Sequence, residues 1–69
     1  MLREVLIETA HLDEHALRQR LALLIEQGWQ LQACGRCWLL RLDEPREVAR
    51  LYGKLLACRW VRRLDFSAG

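Results

Sequence analysis

One proline and four glycines in 69 residues leave no room for a flexible linker or a low-complexity tract. Cysteine is sparse and odd in number: Cys34, Cys37 and Cys58. A secreted disulfide framework would use an even set, so the expected setting is the reducing cytoplasm. No apolar run exceeds five residues, far short of the roughly 20 that a membrane-spanning helix needs. The opening Met1-Leu2-Arg3-Glu4 is acidic where a signal peptide turns apolar, so no leader is expected. Internal repeats are absent. So are a Ser-His-Asp arrangement, a glycine-rich phosphate loop and a paired-carboxylate signature, and the chain is therefore not expected to be an enzyme.

Present instead is a globular composition, 52% hydrophobic and 29% charged. The length fits one domain, residues 1–69. A core of that size supplies about 3–5 kcal/mol, so such chains often rely on a staple or a partner. Eleven basic and nine acidic residues give a net charge of +2, too balanced to imply nucleic acid. Ten of the eleven basic residues are Arg, a bias that fits a GC-rich genome better than a binding signal.

Glu4 to Ala10 alternates and carries β-branched residues, which predicts a strand with Val5, Ile7 and Thr9 on one face and Glu4, Leu6 and Glu8 on the other. Asp13 is a good N-cap for a helix running to about Gln27, with Leu17, Leu21, Leu24 and Ile25 as its apolar stripe and Gly28 as its left-handed stop. Trp29–Leu42 reads as two ribbons around Gly35-Arg36, which suits a two-residue type II′ hairpin. That register opposes Cys34 to Cys37, Ala33 to Trp38, Gln32 to Leu39, Leu31 to Leu40, Gln30 to Arg41 and Trp29 to Leu42. Partners share a face, so Trp29, Leu31, Ala33, Trp38, Leu40 and Leu42 form one apolar side.

Asp43-Glu44-Pro45 then starts a second helix with an acidic cap and an early proline. Its stripe is Val48, Leu51, Tyr52, Leu55 and Cys58. Gly53, inside it, costs about 1 kcal/mol relative to Ala and would allow close approach of another backbone. Trp60 to Phe66 is expected to be an edge strand, with Arg62, Leu64 and Phe66 on one side and Val61, Arg63 and Asp65 on the other.

Strand, helix, hairpin, helix, strand resembles the α+β, β-α-β-β-α-β pattern of ferredoxin-like domains. The resemblance implies a four-stranded antiparallel sheet in the order 4-1-3-2 with two helices on one face. It covers the whole chain but is shared by many functions. A winged helix is the alternative, but only two helices fit before its wing.

Such a sheet leaves one face open. The expected surface has Leu6, Leu39 and Val61 as an apolar centre, with Arg41 and Arg63 opposite Glu4 and Glu8, the build of a protein interface. Cys34-Gly-Arg-Cys37 has CxxC spacing, and Cys58 with His11 or His15 would complete a zinc set on paper. No second paired motif supports it, and no metal or cofactor is expected. Arg59-Trp-Val-Arg-Arg63 is a basic cluster around an aromatic. RNA-recognition domains share the topology but carry aromatics on the central strands of the open face; here Leu6, Glu8, Leu39 and Arg41 stand there. The sequence therefore predicts a small interaction module, a regulator, inhibitor or accessory protein, that binds itself as a homodimer or docks another protein. A nucleic-acid-binding domain using Arg36, Arg59, Arg62 and Arg63 is the alternative. No membrane partner is expected.

Overall fold

The computed structural model describes residues 4–26 and 28–67. Six elements follow one another: β1 (Glu4–Thr9), α1 (Glu14–Ala22), β2 (Trp29–Cys34), β3 (Cys37–Leu42), α2 (Arg46–Leu56) and β4 (Val61–Ser67). The four strands form one antiparallel sheet in the order β2-β3-β1-β4. With residues 4–9 as a strand, the winged-helix alternative falls.

The hairpin explains the rest of the sheet. Gly35 has φ 63° and is the only described residue with a positive φ. A type II′ turn needs that sign at its first central position alone, which is where a residue without Cβ is least strained. β2 and β3 pair in the register the sequence implies, from Cys34↔Cys37 to Trp29↔Leu42. β1 joins β3 with Val5 opposite Leu40 and Leu6 opposite Leu39. Every second residue of β1 and β3 therefore points the same way. Val5, Ile7, Leu40 and Leu42 are buried in one cluster with Leu17, Leu21 and Ile25 after and within α1, and with Val48, Leu51 and Leu55 of α2. Both helices thus cover the same sheet face. Burying each such aliphatic side chain is worth about 1.5–3 kcal/mol before conformational entropy is charged against it.

α1 starts as its sequence implies: the Asp13 carboxylate accepts the Ala16 N–H at 2.8 Å. It ends earlier than the stripe suggests. Leu23 caps it in right-handed backbone and is 87% exposed. The chain tightens through Leu24 N–H to Leu21 O at 2.9 Å, and Ile25 still returns to the core. Gly28 is not a left-handed stop. Its carbonyl accepts the Asp43 N–H at 3.1 Å, and a side chain there would collide with the Asp43 carboxylate. The chain leaves the helix early because it must reach this contact beside the start of β2, and a helix advances only about 1.5 Å per residue. Gln27 lies outside the described residues.

The expected acidic cap of α2 does not form: the cap position is Pro45, in helical backbone and without a side-chain cap hydrogen bond. Glu44, one residue earlier, accepts the Arg46 N–H on its Oε1 at 3.3 Å. Gly53 makes no close approach, since a Cβ built on it meets nothing within 4 Å. Cys58 lies beyond the end of α2, half-buried, with its Sγ donating to the Lys54 carbonyl at 3.3 Å. Trp60 precedes β4 instead of opening it. Its carbonyl accepts the Ala10 N–H at 2.8 Å, and the Arg20 guanidinium lies 5.8 Å from its ring centre. No described helix is long and apolar enough to cross a membrane.

Candidate functional site

The face that α1 and α2 leave uncovered is built from three cross-strand rows. The first runs Gln30, Arg41, Glu4, and the second Gln32, Leu39, Leu6, Asp65. The third carries Cys34 and Cys37 on the hairpin side and Glu8 opposite Arg63 on the other. Leu6 and Leu39, half-buried by their strand neighbours alone, are direct partners at the centre. Arg41 stands opposite Glu4, as the sequence implies, and Arg63 opposite Glu8.

None of these charges closes into an ion pair. The two pairs among the described residues are on the helices, Glu14–Arg18 at 2.9 Å and Glu47–Arg50 at 3.9 Å. The first is exposed on both sides, and in the second Glu47 is half-buried but the contact is long; each is worth at most about 1 kcal/mol. A shallow hollow of about 300 Å³ lies at one end of the face, among Glu4, Gln30, Gln32, Leu39 and Arg41.

Val61 is not part of this face. A bulge in β4 lets Glu8 pair with Arg63 but Thr9 with Val61, leaving Arg62 as the extra residue. The shift reverses the alternation, so Val61 packs against the core from the helix side. Of the expected interface, Leu6, Leu39, Arg41 and Arg63 stand together and Val61 does not.

The four arginines of the nucleic-acid alternative separate as well. Arg63 is on the open face and Arg59 lies in the exposed connection after α2. Arg36, at the hairpin tip, and Arg62, at the bulge, line a second hollow of about 260 Å³ with Thr9, His11, Cys37 and Trp38. The sequence gives no sign of this grouping. It depends on the hairpin tip, the end of β1 and the start of β4 meeting at one end of the sheet.

The CxxC pair brings its thiols to adjacent strands, with Cys34 exposed, Cys37 half-buried and all three cysteines free. Among the described residues no three of His, Cys, Asp and Glu are grouped so as to hold a metal ion. Comparison with protein-family models, with curated proteins and with solved structures gave no match.

Proposed function

We propose that the chain is a small non-enzymatic interaction module of ferredoxin-like type that pairs with a second copy of itself through the open sheet face. The observation that carries this is the self-complementary pattern of the rows. A two-fold axis laid parallel to the strands, between β1 and β3, sets Arg41 of one copy over Glu4 of the other, and Leu6 over Leu39, each contact occurring twice. It brings Asp65 over Gln32 and Arg63 over Cys34, and nowhere sets like charges together. An isologous interface has this property.

The strand order and the single helix-covered face support the fold type. Three free thiols fit a reducing, cytoplasmic setting. Base stacking would need aromatics on this face, and Glu4, Leu6, Glu8, Gln30, Gln32, Cys34, Cys37, Leu39, Arg41, Arg63 and Asp65 include none.

Four strands spaced about 4.8 Å apart and about six residues long make a plane near 19 by 20 Å. Side-chain relief brings the area buried by two copies to the order of 1,000 Å², the low end for specific interfaces, so a micromolar dimer is expected. Sedimentation equilibrium over a hundredfold concentration range tests it. The wild type should move from monomer to dimer, Leu39→Glu and Arg41→Glu should stay monomeric, and Glu4→Arg combined with Arg41→Glu should restore the dimer. A wild type that remains monomeric at millimolar concentration refutes the reading.

A further inference from the structure

The hollow at the hairpin end of the sheet is a different kind of surface. Thr9, Ala10, His11 and Leu12 run along one wall, the Gly35 turn, Cys37 and Trp38 form another, and Arg62 closes it. Among the described residues no carboxylate lines it, although the chain has nine acidic residues. Neither Arg36 nor Arg62 takes part in an ion pair among the described residues.

Among the described residues one bulge interrupts the sheet, and it falls at Arg62. Regular pairing would have set it opposite Thr9; as the inserted residue it is freed from the ladder and re-aimed. Gly35 leaves the opposite rim bare, with nothing within 4 Å of where a Cβ would stand.

We propose that this hollow binds a phosphate monoester. The charge decides the class: two guanidinium forks offer up to ten N–H donors between them and no acceptor. A single carboxylate would occupy one fork. A phosphate carries a charge of about −1.5 to −2 and three terminal oxygens, which two forks and a hydroxyl can share. Thr9, with a hydroxyl, and His11, with a ring nitrogen, are among the residues that line the hollow. The volume, about 260 Å³, lies just below the usual range for small-molecule pockets. It suits the phosphate and a small apolar group against Trp38, not a long polymer segment. The ester can come from a free phosphorylated metabolite or from the terminal phosphate of a nucleic acid, and both present the same dianion.

The test is a titration of isotope-labelled protein followed by amide NMR, with phenyl phosphate, with inorganic phosphate, and with a short oligonucleotide carrying either a 5′-phosphate or a 5′-hydroxyl. Shifts confined to residues 9–12, 35–38 and 61–63, with phenyl phosphate tighter than inorganic phosphate, are the expected result. Arg36→Ala and Arg62→Ala should each weaken phenyl phosphate binding about tenfold, while Arg59→Ala leaves it unchanged. A 5′-phosphate that binds no better than a 5′-hydroxyl assigns the site to small molecules; a clear preference for the phosphate assigns it to nucleic-acid termini. Undiminished binding in the Arg36→Ala, Arg62→Ala double variant, or shifts spread evenly over the surface arginines, overturns the proposal. Repeating the titration in Leu39→Glu separates it from the dimer reading, because that substitution alters only the open face.

Discussion

Gly35 and Gly53 allow the same perturbation to be made in two backbones. A Cβ at either position would meet nothing within 4 Å, so packing gives no reason to distinguish Ala from Gly. What differs is conformation: Gly35 has φ 63°, while Gly53 sits inside α2. In the helix, Ala is better than Gly by about 0.8–1 kcal/mol, because it has less unfolded-state freedom to lose. At the turn the same entropic gain is outweighed by the contact between Cβ and the following carbonyl, about 1–2 kcal/mol in left-handed backbone. Gly53→Ala should therefore raise stability by about 1 kcal/mol and Gly35→Ala lower it by about 1 kcal/mol. At about 4–8 °C per kcal/mol for a domain of this size, the two melting temperatures should differ by about 8–16 °C, with the wild type between them. Urea unfolding followed by far-UV circular dichroism should give the same order with unchanged slopes. Both variants moving in the same direction would refute the backbone argument. A destabilising Gly53→Ala would mean that α2 presents Gly53 to something that needs the space.

Two further outcomes are expected. Arg18 ties α1 to the edge of the sheet: it pairs with Glu14 at 2.9 Å, donates to the Leu31 carbonyl at 3.4 Å and lies 5.8 Å from the Trp29 ring centre. Arg18→Ala should cost about 1 kcal/mol, and thermal unfolding with amide exchange in β2 will show whether the loss is local to that edge; faster exchange throughout the sheet would contradict it. Cys34 and Cys37 are opposite partners in the ladder, at a spacing typical of bridgeable cysteines, about 5.5 Å between Cα atoms. Oxidised glutathione should convert the two thiols to an intrachain disulfide, releasing two reduced glutathiones and leaving Cys58 alkylatable. Mass spectrometry showing a Cys58 mixed disulfide instead would count against it.

The parts of the fold legible in the sequence were those set by alternation and by turn chemistry. Gly35-Arg36 fixed which residues of β2 and β3 oppose each other, and the faces of β1 followed from Val5 and Ile7. Helix ends were less legible because their termini are set by distant partners. Gly28 looks like a stop signal, yet its lack of a side chain serves the Asp43 carboxylate. Leu24 fits the apolar stripe in sequence but lies in the turn after α1, where its carbonyl accepts from Lys54 Nζ at 3.3 Å. Cys58 extends the helical period of α2 on paper and lies past its end.

β4 shows why the sites themselves were harder to read than the elements. Alternation is a parity rule, and one inserted residue reverses it from that point on. Arg62 and Arg63 are neighbours in a sequence cluster that suggests a single basic surface. Alternation alone keeps Arg63 on the open face opposite Glu8; the bulge takes Arg62 out of the ladder, at the sheet end with Arg36 and His11, and turns Val61 to the core. The two arginines should therefore be functionally separable. Arg62→Ala is expected to weaken phosphate ester binding and leave the monomer–dimer equilibrium untouched. Arg63→Ala should leave ester binding intact and shift that equilibrium by no more than a few-fold, as befits the rim of an interface, where exposed charges contribute about 0–1 kcal/mol. Matched losses of both properties in either single variant would mean that the bulge does not divide the surface and that one extended basic patch serves both.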